Sequence, residues 1–476
     1  LNALPEPQHN TAVTRLHAVQ DLSDLGNAKR LVETHGRDLR FEYAAGRWLV
    51  WDGRRWAYDE SGAAERHAKD VASGLLLEAG GQRSDDERRR FAKHALHSMN
   101  AAPLRAMLSL AQSEPGIPVQ VGDLDPSLWH LNVANGLLDL RNGRLEPHNR
   151  NALATRIADI AYDPAATAPT FESFLYRVFA GDQQLIGFLQ RLVGYCLTGS
   201  TAEQILVVLH GRGANGKSTL VELLRDLLGD YATTMPPDLL VQRRDGAPQP
   251  HGLVRLRGAR LVAATETEDG ARLSVALVKQ LTGGDTITAR RLYGEFFDFR
   301  PVAKFVLSTN HKPVIRDSTE SIWRRVRLIP FEVTVPPAER DPKLPERLRA
   351  ELPGVLAWAV RGCLAWQEGG LGQAAAVDAA TGSYRADSDP LGEFLTDCCL
   401  VGEHFHAPAS LLYSAWRQWA DGRGEQPGSS TALGRRLTER GFTPGRTGSS
   451  GARIWRGIAL TTDTSDRSDR SPEEVL

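Results

Sequence analysis

The chemistry of this chain concentrates in His210-Gly-Arg-Gly-Ala-Asn-Gly-Lys-Ser-Thr219. That stretch fits G-x-x-x-x-G-K-[ST], with Gly211, Gly216, Lys217 and Ser218 in register. Glycines in such a loop let backbone N–H groups curl round phosphates, and the following helix adds the partial positive charge of its N-terminus. Arg212, Gly213, Ala214, Asn215 and Thr219 would complete the cradle. Lys217 would reach the β- and γ-phosphates, and the Ser218 hydroxyl would ligate Mg²⁺. The expected ligand is therefore ATP with Mg²⁺.

An ATPase also needs an acidic group to hold the metal shell and polarise the attacking water. Glu266, directly after the apolar run Leu256–Thr265, is the better candidate, with Glu268 as its alternate. Asn310 follows another apolar run, Lys304–Thr309, where a neutral amide can sense a γ-phosphate or hold the water. Arg324 and Arg325 precede a further strand-like run. An arginine reaching a neighbour's γ-phosphate is worth roughly 10³–10⁵ in rate. Thr286–Leu292 and Glu295–Phe299 flank Tyr293-Gly294 and read as a hairpin. It would present Arg290, Arg291 and Tyr293, with Lys279 on the helix behind, and a basic hairpin with an aromatic tip suits single-stranded DNA.

These groups work only if regular elements bring them together. Ile205–Leu209 reads as a buried parallel strand, and Leu220–Leu228 repeats apolar residues at helical spacing before stopping at Gly229. Further strands at Leu256–Thr265 and Lys304–Thr309, a fourth after Arg325 within the run Ile322–Phe331, and a helix at Val275–Leu281 make the centre an α/β unit. Upstream, Ser23 or Asp24 caps a helix holding Ala28, Leu31 and Val32. Asp52-Gly53 marks a hairpin whose Trp48, Trp51 and Trp56 are expected to form the core of a small meander and not a base-stacking platform. Residues 62–114 read as helical. Asp123-Leu-Asp125, followed at once by Pro126, reads as a turn and not as a paired-carboxylate site. Two short strands are expected around Asn135-Gly136 and Asn142-Gly143, then a Pro/Ala-rich linker at 163–169 and helix from Phe171 to Leu197.

Near the C-terminus, helices at Leu391–Cys398, Ala409–Trp419 and Thr431–Arg440 precede strands around Phe442-Thr443 and Ile454-Trp455. Three helices and then a hairpin is a winged-helix pattern, whose third helix would carry Arg435, Arg436 and Arg440 toward DNA. The expected organisation is a loose tail to residue 20, a mixed α+β N-terminal domain at 21–165 and a helical connector at 166–200. The ATPase follows at 201–366, then a linker at 367–388, a winged-helix domain at 389–460 and a disordered tail at 461–476.

With 57 Lys+Arg against 58 Asp+Glu, net charge −1, any nucleic-acid binding must come from local basic patches. The four cysteines form no C-x-x-C pair and have no His partner at zinc spacing, so a reducing compartment and no structural metal are expected. No apolar run reaches membrane length. The expected location is the cytoplasm, with no membrane partner.

Taken in order, Gly-x-Gly-x-Asn-Gly-Lys-Ser, a Glu-terminated strand, Lys279-Gln-Leu-Thr-Gly-Gly-Asp285, Ser308-Thr-Asn-His311 and Trp323-Arg-Arg325 resemble the superfamily 3 helicases. The group most resembled is the helicase half of phage and plasmid primase-helicases with a poxvirus-type N-terminal domain. Asn215 within the loop is typical of that group, and Gly26-Asn27-Ala28 and Trp51-Asp-Gly-x-x-Trp56 resemble its N-terminal domain. The resemblance covers most of residues 21–460. It implies an AAA+ fold, a homo-hexameric ring with ATP sites between subunits, and a pore hairpin that maps onto Lys279–Phe299. It also makes Arg324 or Arg325 an arginine finger in trans, without choosing between them. Members of the group often carry an N-terminal primase-polymerase domain, and no acidic catalytic cluster precedes Asp21. The expectation is a helicase-only version, or a chain that begins downstream of that domain.

The resulting expectation is an ATP-dependent DNA helicase acting on single-stranded and forked DNA for replication of a phage, plasmid or integrated element. A separate primase or origin DNA would be a further partner. The alternative is an AAA+ loader or origin-binding switch without processive unwinding.

Overall fold

The computed structural model describes residues 21–241, 253–265, 271–290, 296–315, 319–423, 426–447 and 451–461. The N-terminal body opens with α1 (Asp24–His35), capped by Ser23, whose hydroxyl accepts from Gly26 N. It continues through β1 (Leu39–Glu42), β2 (Arg47–Trp51) and β3 (Trp56–Tyr58) to α2 (Ala63–Gly80), α3 (Asp85–Ser98) and α4 (Ala101–Ala111). β4 (Pro118–Val119) then joins β1 in parallel, giving the sheet order β3-β2-β1-β4. Asn27 is fully buried, donates to Ser98 Oγ at 2.9 Å and meets His94 at 3.0 Å, so it ties α1 to α3. Of the three tryptophans Trp56 is core, wholly buried with the Arg40 guanidinium 4.6 Å above its ring, while the half-buried Trp48 and Trp51 pack against the core and Trp51 meets Trp56 edge-on. Asp123 accepts from Gln120 N at 2.9 Å within a turn, and Asp125 accepts from Thr155 N at 2.7 Å across thirty residues, so both carboxylates have structural partners.

After this body come β5 (His130–Val133), β6 (Gly136–Asp139) and β7 (Arg144–Glu146), an antiparallel meander. Two strands were expected here, but the Asn-Gly pairs make two turns, and two turns separate three strands. Next are α5 (Pro169–Val178) and α6 (Gln183–Leu197). These are not spacers. Leu131, Leu138 and Tyr162 share one apolar core with both helices and with the later α11 (Leu352–Gly369), so the core runs across the expected boundary at 165. α6 and α11 approach so closely that a Cβ on Gly194 would lie 2.1 Å from Cys363 N.

The centre is a five-stranded, all-parallel sheet. Its strands in chain order are β8 (Leu206–His210), β9 (Ala232–Thr234), β10 (Leu261–Thr265), β13 (Lys304–Thr309) and β14 (Val326–Pro330). Their spatial order is β14-β8-β13-β10-β9. α7 (Lys217–Leu228) follows β8, and α8 (Val275–Gly283) leads into a separate hairpin, β11 (Ile287–Arg290) and β12 (Phe296–Phe299). The short α9 (Glu320–Trp323) precedes β14, and α10 (Leu344–Ala350) precedes α11. Buried strands of Val, Leu, Ala and Phe, as in Leu261-Val-Ala-Ala, are what a parallel sheet covered on both faces requires.

The segment expected as a linker at 367–388 is instead mostly α12 (Ala375–Asp387), which covers β14. Leu328 N donates to Thr381 Oγ1 at 3.0 Å, and the buried Tyr384 ring sits edge-on to Trp323 at 5.3 Å. Its alanines let the helix lie close to an edge strand. The polar residues and the glycines of this segment are what made the sequence look like a spacer.

The C-terminal unit runs α13 (Pro390–Cys398), β15 (Cys399–Pro408), α14 (Ala409–Gly422), α15 (Ser430–Glu439), β16 (Thr443–Arg446) and β17 (Arg453–Leu460), with sheet order β15-β17-β16. Phe394, Trp416, Leu433, Leu437 and Ile458 build its own core. β15 was not expected. A bulge between Val401 and His406 and a run of exposed polar residues hide its alternation. Among the described residues, no helix is long and apolar enough to cross a membrane.

Candidate nucleotide site

The register of the parallel sheet creates the site. His210 pairs with Thr309 of β13 on one side and with Pro330 of β14 on the other. Gly211, Asn310 and Phe331 therefore leave three adjacent strand ends at the same level, the place where open α/β sheets receive ligands. The loop between β8 and α7 has Ala214 at φ +59° and Gly216 at φ +89°, two left-handed residues that turn peptide units into a concave anion nest. A Cβ on Gly216 would lie 2.8 Å from Val178 and 2.9 Å from Phe174, so the loop is packed against α5 as well as turned.

Lys217 is the centre of the arrangement. Its ammonium donates to Gly211 O at 2.6 Å, Asn310 Oδ1 at 3.0 Å and Asn215 Oδ1 at 3.1 Å. Burial holds its pKa below the ordinary lysine value. Ser218 is exposed at the start of α7, and Thr219 is half-buried beside it. Asn215, expected among the ligand contacts, is buried and donates through Nδ2 to Phe331 O at 2.9 Å. It is a brace that joins the loop to the strand end of β14. Val335 N adds a second brace, donating to Ala214 O at 2.8 Å. Arg212 and Gly213 stand exposed at the loop tip.

His210, whose part in the site sequence reasoning did not single out, closes the strand under the loop. Burial, with Lys312 and Lys217 close by, holds its pKa below the usual histidine value. Next to the loop lies a cavity of about 650 Å³, bounded by Phe174 and Val178 of α5, by Ala214, Gly216 and Thr219, and by Leu344. Its far wall comes from residues 335–347, a segment with no sequence signature of its own.

The two arginines before β14 part company. Arg325 is buried and donates to Ser321 O at 2.7 Å, Thr282 Oγ1 at 3.2 Å and Gln204 Oε1 at 3.4 Å. It brackets α8, α9 and the approach to β8 within its own subunit. Arg324 is exposed. Glu266, Glu268, Arg291 and Tyr293 lie outside the described residues; β10, the apolar strand that leads to the two glutamates, pairs its Thr265 with Ser308.

The hairpin expected at 286–299 is present as β11 and β12, with Arg290 opposite Phe296 and its guanidinium 5.0 Å from that ring. Lys279 is half-buried on α8. In the C-terminal unit, Arg435 is exposed on α15 and Arg436 half-buried. Arg440 is drawn away from that surface into an ion pair with both carboxylate oxygens of Asp389, which corrects its place among the DNA-facing arginines.

Comparison with known proteins adds the following. The family described as "D5 N terminal like" matches residues 28–180, and the "Family of unknown function (DUF5906)" matches residues 209–325. "Putative helicase L207/L206" of Acanthamoeba polyphaga mimivirus is 29% identical over 321 residues, covering 62% of this chain and 33% of that protein. "Putative primase C962R" of African swine fever virus (isolate Tick/Malawi/Lil 20-1/1983) is 27% identical over 219 residues, covering 44% of this chain and 22% of that protein. The chain thus spans a third or less of the length of these two curated relatives. The apo structure of the NrS-1 C terminal region superposes with a TM-score of 0.50 at 13% identity, covering 92% of this chain and all of that one, a likeness of fold. These matches, together with its motifs, support a superfamily 3 primase-helicase family for the chain.

Proposed function

We propose that this chain is the ATP-driven motor of a DNA helicase, an AAA+ unit that works as a homo-hexameric ring and translocates on single-stranded DNA. The observation that carries the reading is the 3.0 Å contact between Lys217 Nζ and Asn310 Oδ1. A phosphate-binding lysine and a polar sensor 93 positions apart meet because β13 is inserted beside the loop strand. Lys217 and the loop amides would hold the phosphates, Ser218 and Glu266 (or Glu268) the Mg²⁺, and Asn310 the γ-phosphate or the attacking water. The residues present fit the group: a left-handed loop, a lysine in place and an exposed hydroxyl at a helix start. Bound Mg²⁺ would supply charge neutralisation across the β- and γ-phosphates. The cavity beside Gly216 is large enough for a nucleoside, whose base would lie on Phe174 and Val178.

Arg324 is our choice for the residue that completes a neighbour's site, because it is exposed while Arg325 is committed within its own subunit. The bracket of Arg325 to Thr282 gives a route from that position to α8 and the hairpin. Arg290, Arg291 and Tyr293, with Lys279, would grip the strand in the ring's pore. The helix–strand–helix–helix–hairpin order of residues 390–460 supports a winged-helix reading, with Arg435 and Arg436 as its DNA-facing pair.

The test is strand displacement on a forked duplex with ATP and Mg²⁺, comparing the wild type with Lys217→Ala. Unwinding by the wild type and none by the variant is the expected result. ATP hydrolysis without strand separation would overturn the helicase reading and favour a loader or origin-binding switch built on the C-terminal unit.

A further inference from the structure

The N-terminal body holds a second cluster of ligating side chains, far from any cysteine spacing and unused by the nucleotide site. His35 closes α1, while His67 and Asp70 stand three residues apart on one face of α2. One ring nitrogen of each histidine and one oxygen of Asp70 all lie within 4.8 Å of one another. The two imidazoles stack with centroids 4.2 Å apart and 27° between their planes. Nδ1 of His67 is buried and has no hydrogen-bond partner. A buried ring nitrogen without a partner loses about 1–3 kcal/mol unless something satisfies it. Asp70 is exposed, so its carboxylate is free to turn toward the rings.

We propose that His35, His67 and Asp70 bind a divalent transition metal of the zinc class, stapling the C-terminal end of α1 to α2. Two imidazole nitrogens and one carboxylate oxygen are a donor set for borderline metals, whereas Mg²⁺ and Ca²⁺ take oxygen donors. Zinc bonds of about 2.0–2.1 Å in a tetrahedral site put ligand atoms ~3.4 Å apart. The cluster must therefore contract by at most ~1.5 Å, which side-chain rotation supplies. Three protein ligands leave the fourth position to water. A metal here would join the end of α1, just before β1, to α2, just after β3, and so clamp both ends of the sheet segment that carries Trp56.

The experiment uses the full chain, stripped with a chelator, free of nucleotide and with excess Mg²⁺ present to fill oxygen-donor sites. Co²⁺ is titrated and followed by its visible absorption, then displaced with Zn²⁺, and melting temperature is recorded with and without Zn²⁺. The wild type should take up one equivalent of Co²⁺ and melt higher with Zn²⁺. His67→Ala and Asp70→Ala should each bind that equivalent at least tenfold more weakly. Asp70 is exposed, so Asp70→Ala should keep the metal-free melting temperature of the wild type and separate ligation from folding. Absence of stoichiometric uptake by the wild type overturns the proposal, and so does less than a tenfold change in Asp70→Ala.

Discussion

Asn215 offers the sharpest test of how the phosphate loop is held. Its side chain is 2% exposed, donates to Phe331 O at 2.9 Å and accepts from Lys217 Nζ at 3.1 Å. Asn215→Ala removes a bond to a charged group, about 1.5–3 kcal/mol, and strands a buried carbonyl, about 1–3 kcal/mol more. If roughly 3–5 kcal/mol falls on the competent loop geometry, ATP turnover drops by roughly 10²–10⁴. Asn215→Asp keeps the size and the acceptor for Lys217 but sets a carboxylate oxygen against the Phe331 carbonyl, so it should fail as well. The assay is steady-state hydrolysis at saturating ATP, with the melting temperature as a check that the fold persists; the loop braces one strand end and not the core. Turnover of Asn215→Ala within threefold of wild type would refute the bracing argument. Full activity of Asn215→Asp would show that the Phe331 bond is dispensable.

The arginine pair should separate two quantities. Arg325→Ala leaves Ser321 O, Thr282 and Gln204 without their donor and should destabilise the fold by about 2–4 kcal/mol, read as a lowered melting temperature. Arg324→Ala should leave melting unchanged and cut turnover by roughly 10³ in the assembled protein; unchanged turnover would remove it from the neighbour's site. Lys304 predicts a pH effect of definite sign. It is fully buried at the start of β13, donates to the carbonyls of Thr198, Ser200 and Val302, and burial pulls it down to about 7 from 10.5. The unfolded chain binds the extra proton between those values, so stability should rise with pH above 7, by about 2–3 kcal/mol from pH 7 to 9. Urea unfolding of Lys304→Met should lack that rise, and an equal rise in both proteins would refute it.

Local chemistry was legible in the chain. A loop whose glycines accept left-handed backbone, between an apolar strand and an amphipathic helix, depends on neighbours within about twenty residues, and spacing alone specifies it. The same holds for the hairpin of β11 and β12. What the chain could not disclose depends on register between distant strands. Lys217 meets Asn310 only because Thr309 pairs with His210, and Asn215 meets Phe331 only because Pro330 does. The choice between Arg324 and Arg325 depends on which way one short helix turns its last residues. Adjacent identical side chains carry no sequence signal of burial. The stack of His35 on His67 and the role of α12 as a cover are likewise decided by packing of helices that have no local reason to meet.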